Sequence, residues 1–167
     1  PLRRQRQMCI RDRSVMLNAI YSAQQKHQFI HRSSEVLSDG NCLSHAILRG
    51  SVDQYGTTIP NYHYEDIHRV IELYQERDLL NPAIIIDANH ANSNKKYKEQ
   101  TRIVKEVLHS RNHSDDIYKY VKGVMVESYL VEGTQKIGEH CYGKSITDPC
   151  LGWEDSEKLL EDMYKLV

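Results

Sequence analysis

The stretch Ala83-Ile-Ile-Ile-Asp-Ala-Asn-His-Ala-Asn-Ser-Asn94 decides the fold. Its apolar run ends in a cluster of polar side chains, and the charge-rich run Lys95-Lys-Tyr-Lys-Glu-Gln100 follows. Such a pattern is typical of a buried parallel strand with functional groups at its carboxyl end and a helix beyond it. Ligands bind at that end of the strands in α/β folds, so we expect His90 to be functional. The alternative is that Asp87 and Asn92 only cap the next helix.

Composition limits the class of protein. The chain has 167 residues, 40% of them hydrophobic and 27% charged, which is enough for one globular domain with a core. The formal net charge of -1 argues against a nucleic-acid partner. No apolar run approaches the roughly 20 residues that cross a bilayer, so no membrane partner is expected. The basic N-terminus lacks the apolar segment of a secretory signal, and the four cysteines have no CxxC spacing. We therefore expect reduced thiols and a cytoplasmic location.

Residues 1–13 differ from the rest of the chain. They contain five arginines, whereas lysine dominates afterwards. We expect a non-native or disordered tail and assign residues 14–167 to the folded domain. The alternative is a basic arm that contacts anions.

The remaining sequence alternates between strand and helix patterns. The expected order is helix, strand, strand, helix, strand, helix, strand, strand, helix, which makes about four βα units. This fold class is α/β and amounts to half of a (β/α)8 barrel, with a half-length α/β sandwich as the competing interpretation. The predicted segments are a helix at 15–23, a hairpin at 27–31 and 35–37, a strand at 43–50, a polar loop at 51–61, a helix at 64–77, the strand at 83–86, a helix at 95–110, a helical turn at 117–121, a strand at 124–126, an extended segment at 142–150 and a helix at 153–167.

Polar groups recur at the ends of the predicted strands. His90, Glu127 and Asp148 follow three successive strands, and one imidazole with two carboxylates is a donor set for a divalent metal ion. Such a set would accept Mn²⁺, Fe²⁺, Co²⁺ or Zn²⁺ without selecting strongly among them. Each residue also has an ordinary interpretation, as a core histidine, a salt-bridged glutamate or a helix-capping aspartate. Their joint recurrence favours the metal site.

Two basic residues belong to the same predicted rim. Arg49 ends a strand and is followed by Gly50, which suits a phosphate contact as well as it suits a surface ion pair. Lys144 lies in the extended segment before Asp148. An anion beside the metal would make the reaction a metal-assisted one on a phosphorylated or carboxylated small molecule.

Four motifs resemble one known family, the class I 3-deoxy-D-arabino-heptulosonate 7-phosphate (DAHP) synthases. The resemblance runs from about Val15 to the C-terminus. The motifs are Ala46-Ile-Leu-Arg-Gly50, Ile86-Asp-Ala-Asn-His-Ala-Asn-Ser93, Gly123-Val-Met-Val-Glu-Ser-Tyr-Leu-Val-Glu-Gly133 and Tyr142-Gly-Lys-Ser-Ile-Thr-Asp-Pro-Cys-Leu-Gly-Trp-Glu-Asp155.

The resemblance implies a fold, a reaction and a set of site residues. The family has a (β/α)8 barrel and is an aldol-type transferase that condenses phosphoenolpyruvate and erythrose 4-phosphate, the first step of the shikimate route to aromatic amino acids. It implies that His90, Glu127 and Asp148 are three of four ligands of one divalent metal ion. It also implies that Arg49 holds the phosphate of phosphoenolpyruvate and that Lys144 acts beside the reacting groups. A homo-oligomeric full-length enzyme is expected.

The chain departs from the family pattern in its first half. The fourth metal ligand of the family is a cysteine on an early barrel strand, and none of Cys9, Cys42, Cys141 and Cys150 stands in that motif. The early basic residues that bind the substrates are missing too, and the hairpin segment from His27 to Asn41 is shorter than the family's. We therefore expect the C-terminal half of a barrel, inactive when isolated. Two alternatives stay open, a non-catalytic metal- or phosphate-binding fragment with a regulatory role and a metal-dependent hydrolase or aldolase.

Overall fold

The computed structural model describes residues 12–167 as an α/β fold. The expected tail at residues 1–13 lies almost wholly outside this range. In chain order the elements are α1 (Asp12–Gln24), β1 (His27–His31), β2 (Ser34–Ser38), β3 (Ala46–Leu48), β4 (Ser51–Val52), β5 (Thr58–Ile59), α2 (Tyr64–Gln75), β6 (Ile84–Asp87), a 3-10 helix (Tyr97–Glu99), α3 (Gln100–Asn112), α4 (Asp115–Tyr120), β7 (Val121–Met125), β8 (Val131–Thr134), β9 (Lys144–Ser145) and α5 (Trp153–Leu166).

A parallel sheet with strand order β3-β6-β7 forms the centre of the fold. Its middle strand is the apolar run predicted from the opening stretch. Helix α2 connects β3 to β6, and helices α3 and α4 connect β6 to β7. An isolated parallel bridge between Ser128 and Leu151 brings a fourth segment beside the chain that leaves β7. The expected alternation of parallel strands and helices is confirmed, while the described residues close no barrel.

The two faces of this sheet differ. Leu48, Ile84 and Ile86 are buried in the core with the helices. On the opposite face Ile47 pairs with Ile85, which in turn pairs with Gly123. Ile47 and Met125 keep 41% and 43% exposure, so residues 12–167 leave part of this apolar face open to solvent.

The amphipathic helices follow their periodicity. Helix α2 buries Ile67, Val70, Ile71 and Tyr74, the i, i+3, i+4, i+7 stripe. The Tyr74 hydroxyl accepts a hydrogen bond from the Ala46 amide and donates one to the Ala83 carbonyl, which ties α2 to the starts of β3 and β6. Burial raises the pKa of this phenol. The helical spacing of Ile103, Val104 and Val107 predicts the buried face of α3, and all three are buried.

The last helix corrects one packing prediction. The apolar spacing of Leu159, Leu160, Met163 and Leu166 predicts that all four point inward, but of these only Leu159 is buried and Leu160 is 66% exposed. Among the described elements α3 is the main neighbour of α5, so only Leu159 and Met163 of its apolar stripe pack against the core.

Several boundaries also differ from those predicted. The strand expected at 43–50 is only Ala46–Leu48, and the loop at 51–61 contains the antiparallel pair β4 and β5. The strand expected at 124–126 is Val121–Met125. The helix expected from Lys95 begins later, because Asn94 and Lys95 have left-handed backbone angles (φ 52° and 58°) that no α-helix can contain.

None of the helices within residues 12–167 is long and apolar enough to cross a membrane.

Candidate metal centre

The three predicted ligands converge. His90 Nε2 lies 3.3 Å from Glu127 Oε1 and 3.6 Å from Asp148 Oδ2. One donor atom from each residue lies within 4.8 Å of the other two. The side chains are half-buried, at 21%, 32% and 38% exposure, so the cluster is open to solvent on one side.

These distances suit a metal ion. Nitrogen and carboxylate oxygen ligands bind first-row divalent ions at about 2.0–2.2 Å, which places neighbouring donor atoms roughly 3–3.5 Å apart. The separations of 3.3 and 3.6 Å from His90 Nε2 to the two carboxylate oxygens are close to that spacing. The residues therefore fit a divalent ion, and three protein donors leave further coordination positions for other groups.

His90 is held in a constrained loop directly after β6. Its backbone is left-handed (φ 51°), and its carbonyl accepts a hydrogen bond from the Lys95 amide at 2.9 Å. Its Nδ1 lies 2.7 Å from Oδ2 of the buried Asp87. Because a carboxylate only accepts, Nδ1 must carry the proton, and the lone pair of neutral His90 is then on Nε2. Nε2 is the atom that faces the two carboxylates.

Glu127 is fixed through both its backbone and its side chain. The buried Gln100 accepts a hydrogen bond from the Glu127 amide at 2.8 Å and donates one to its carbonyl at 3.0 Å. Oε2 of Glu127 accepts a hydrogen bond from Asn89 Nδ2 at 2.7 Å. The other oxygen, Oε1, faces His90.

Asp148 reaches the cluster through backbone pairing outside the central sheet. The sequence predicts a short strand or extended segment over 142–150 that ends at Asp148, but the strand is only Lys144–Ser145 and pairs with β8 in a separate sheet. The Leu151 amide donates to the Glu127 carbonyl at 2.9 Å, and the Tyr129 amide donates to the Leu151 carbonyl at 2.8 Å. These bonds bring the preceding Asp148 beside Glu127.

The lysine at the cluster is Lys95. Its Nζ lies 3.5 Å from Asp148 Oδ1, and Oδ2 of the same carboxylate faces His90. Lys144, which we expected at this rim, lies half-buried on β9 and makes no hydrogen bond or ion pair with the three ligands among residues 12–167. Its pairing with Val131 in a separate sheet explains this position.

Arg49 follows β3 and makes no bond to the three ligands in the described part of the chain, but its neighbour Gly50 contacts the His90 loop. Gly50 has φ +71°, and a Cβ atom there would lie 2.9 Å from the Ala91 backbone. Asn92 donates to the carbonyls of Leu48 and Asp87, so β3 and the loop are joined directly. Arg49 is thereby placed at the same end of the sheet as His90.

The capping alternative for the opening stretch is wrong. The 3-10 helix and α3 have Lys96 and Glu99 at their N-caps, with no side-chain cap bond in either case. Asp87 instead accepts from His90 and from the Asn89 amide, while Asn92 bonds to three backbone groups. The residues that sequence reasoning missed are Asn89, Lys95 and Gln100. No spacing in the sequence signals the contact of Asp87 with His90, because that contact depends on the left-handed backbone of His90.

Cys150 lies close to the ligands but is not placed as a fourth one. Its Sγ is directed at the Asp148 carbonyl oxygen, 3.4 Å away. Burial raises the pKa of this thiol above its ordinary 9.0, which disfavours the thiolate that binds metals. The cluster contains no cysteine from residues 12–167.

Comparison with known proteins identifies the class. The profile of the DAHP synthetase I family matches residues 8–161. A solved structure of phospho-2-dehydro-3-deoxyheptonate aldolase from Francisella tularensis superposes with a TM-score of 0.80 at 32% identity, over 93% of this chain and 45% of that one. The chain belongs to the DAHP synthetase I family, and the resemblance stated from its motifs is confirmed.

Curated relatives give the same result. The chain is 39% identical to phospho-2-dehydro-3-deoxyheptonate aldolase of Haemophilus influenzae over 161 residues. It is 36% identical to the Trp-sensitive phospho-2-dehydro-3-deoxyheptonate aldolase of Escherichia coli over 162 residues. In both cases 92% of this chain is covered, but it spans only 42% and 43% of the relatives' lengths.

Proposed function

We propose that the chain is the C-terminal part of a DAHP synthase, which converts phosphoenolpyruvate, erythrose 4-phosphate and water to DAHP and phosphate. The observation that carries the proposal is the convergence of His90, Glu127 and Asp148, in a member of this family, at distances that fit a divalent ion. The full protein would catalyse the first step of the shikimate pathway in the cytoplasm, as a homo-oligomer with these two small-molecule substrates.

The proposed architecture is the C-terminal half of a (β/α)8 barrel, formed by residues 14–167, with residues 1–13 as a tail. The neighbouring strands of this half barrel would be β3, β6, β7 and the segment at Leu151. Two observations support this: the helices lie on one face of the sheet, and the opposite face, with Ile47 and Met125, is apolar and partly exposed. Strands supplied by the rest of the protein would enclose that face as a barrel interior. The family profile starts at residue 8, so part of the proposed tail falls inside the matched range.

The residues of this chain have separate tasks in the proposed reaction. In the overall chemistry C3 of phosphoenolpyruvate bonds to the aldehyde carbon of erythrose 4-phosphate, water adds at C2, and phosphate leaves with cleavage of its C–O bond. His90, Glu127 and Asp148 would hold one ion of Mn²⁺, Fe²⁺, Co²⁺ or Zn²⁺, which acts when bound as a Lewis acid toward a substrate oxygen. Arg49 would bind the phosphate of phosphoenolpyruvate, and Lys144 would supply positive charge close to the substrates.

An isolated chain of this length is expected to be inactive, because it lacks the remaining ligand and the substrate-binding half of the site. The test is a fusion of residues 14–167 to the N-terminal part of the Haemophilus influenzae relative. With Mn²⁺ and both substrates, the fusion should release phosphate, and the same fusion carrying His90→Ala should not. The unfused chain should give only the background rate.

Two results would contradict the proposal. One is a fusion that folds and binds Mn²⁺ yet releases no phosphate, which would favour a non-catalytic binding role. The other is turnover by the unfused chain, which would show that the missing half is dispensable. Circular dichroism and a Mn²⁺ titration of each protein separate loss of function from loss of folding.

A further inference from the structure

The two carboxylate oxygens of Glu127 have different partners. Oε1 lies 3.3 Å from His90 Nε2 and faces the position of the ion, whereas Oε2 lies 2.7 Å from Asn89 Nδ2. We infer that Asn89 is a positioning residue that makes Glu127 a one-oxygen ligand by holding Oε2 away from the ion. This inference rests on the proposed metal site.

The orientation of the Asn89 amide is fixed from its other side. The Ser93 hydroxyl donates to Asn89 Oδ1 at 2.9 Å, so the amide oxygen is occupied and Nδ2 is left to face Glu127. Asn89 and Ser93 are 1% and 4% exposed, which keeps water from competing for these bonds. A carboxylate can only accept, so the opposite orientation of the amide would place two acceptors against each other.

The backbone of Asn89 adds a second constraint. Its amide donates to Asp87 Oδ1 at 2.9 Å, while Asp87 Oδ2 contacts His90 Nδ1 at 2.7 Å. One buried carboxylate therefore positions both the histidine ligand and the residue that holds the glutamate ligand. Rotation of the Asn89 side chain would have to break two hydrogen bonds, those with Glu127 and Ser93, while the backbone bond to Asp87 fixes the point from which the side chain starts.

One-oxygen binding by Glu127 has a chemical consequence. A carboxylate that binds through both oxygens takes two coordination positions, and one that binds through a single oxygen leaves a position open. Partners of this kind around metal ligands typically change metal affinity by 10–100-fold when they are removed. Asn89 would thus set both the affinity of the site and the number of positions that remain for other groups.

The experiment uses Co²⁺ alone as the probe and the full 167-residue chain. Calorimetric titration gives the affinity, and the visible and X-ray absorption spectra report the coordination number and the Co–O distances. Asn89→Ala should weaken Co²⁺ binding by about 10–100-fold and add a second Glu127 oxygen to the coordination shell. Ser93→Ala, which removes only the hydroxyl, should change the spectrum in the same direction by a smaller amount.

Asn112→Ala is the matched control, because this exposed asparagine at the end of α3 also donates its side-chain amide to one acceptor, the Leu166 carbonyl at the end of α5. It should leave affinity and spectrum unchanged. If the native chain binds no Co²⁺, both the metal site and the role of Asn89 are refuted. If the native chain binds Co²⁺ and Asn89→Ala has the same affinity and spectrum, only the role of Asn89 is refuted. Should Asn89→Ala fail to fold, an unchanged spectrum in Ser93→Ala would overturn the inference.

Discussion

Asp87 Oδ2 lies 2.7 Å from His90 Nδ1, and this contact selects the nitrogen that His90 offers to a metal ion. Replacement of Asp87 by Asn removes the charge that favours the Nδ1–H tautomer. We expect metal affinity to fall by about 10–100-fold. The ¹⁵N chemical shifts of His90 should show a larger population protonated at Nε2. Asp53→Asn is the control, because the Asp53 side chain accepts bonds from the amides of Tyr55 and Thr57 in a turn that has no contact with the three ligands among the described residues. Equal affinities for the native chain and the Asp87 variant would refute this role.

Gly50 and Gly56 provide a paired test of close packing at the site. Both have positive φ, +71° and +85°, but a Cβ atom at Gly50 would meet the Ala91 backbone at 2.9 Å, whereas nothing lies within 4 Å at Gly56. Gly56→Ala should lower the free energy of unfolding by about 1–2 kcal/mol through backbone strain alone. Gly50→Ala should lower it by about 2–4 kcal/mol, because overpacking adds to the strain. Urea unfolding measures the free energy of unfolding of both variants. Equal decreases would show that the loop around His90 shifts to accommodate the added Cβ atom without cost.

Gln100 is expected to be required for both stability and metal binding. It is fully buried, and Gln100→Ala would leave the Glu127 amide without its partner, at a cost of about 1–3 kcal/mol. Because Glu127 would then lose its fixed backbone, Co²⁺ affinity should fall as well. Gln135→Ala is a matched control, since this amide also bridges backbone groups, those of Cys141 and Lys144. Gln135→Ala should leave Co²⁺ affinity unchanged. If Gln135→Ala lowered Co²⁺ affinity as much as Gln100→Ala does, the role of Gln100 in metal binding would be contradicted.

The ion pair between Lys105 and Asp162 joins α3 to α5 at 2.6 Å and predicts a pH dependence. The hydrogen bond from Lys105 lowers the pKa of Asp162 below its ordinary 3.8. A lowered folded-state pKa contributes stability that is present above the unfolded value and lost as pH falls through the folded value. Near neutral pH the native chain should therefore have a higher melting temperature than the Asp162→Asn variant. This difference in melting temperature should shrink below about pH 4 and at high salt. A difference in melting temperature that stayed constant down to pH 2 would exclude the Lys105–Asp162 ion pair as its source.

The parts of the fold that could be predicted follow from local patterns. The apolar run of β6 and the buried stripe of α2 have the periods of a buried strand and an amphipathic helix, and both are as predicted. His90 and Glu127 follow neighbouring parallel strands, so their convergence could be derived from chain order. The Asp87 contact to His90 could not, because it depends on left-handed angles that a histidine rarely adopts.

Asp148 converges with the other two ligands as predicted, but the local structure that places it could not be predicted. Its position depends on backbone hydrogen bonds between Leu151 and the chain that leaves β7, and backbone groups are identical in every residue. No side-chain pattern signals such a bond. Likewise, the exposure of Leu160 depends on how few elements cover α5, which is a property of the assembled structure and not of the helix itself.

Because Leu151 pairs with the chain after Glu127, a metal ion bound at the cluster would also close the loop between Glu127 and Asp148. Since Asp148 owes its place to this pairing, an ion that binds Asp148 together with His90 also stabilises the pairing, by about 2.7 kcal/mol at 100 times the dissociation constant. The ion would hold together the two ends of the 20-residue loop 128–147, much as a covalent cross-link does. Amide hydrogen exchange at Tyr129 and Leu151, whose N–H groups form these bonds, should therefore slow when metal is added and recover when a chelator removes it.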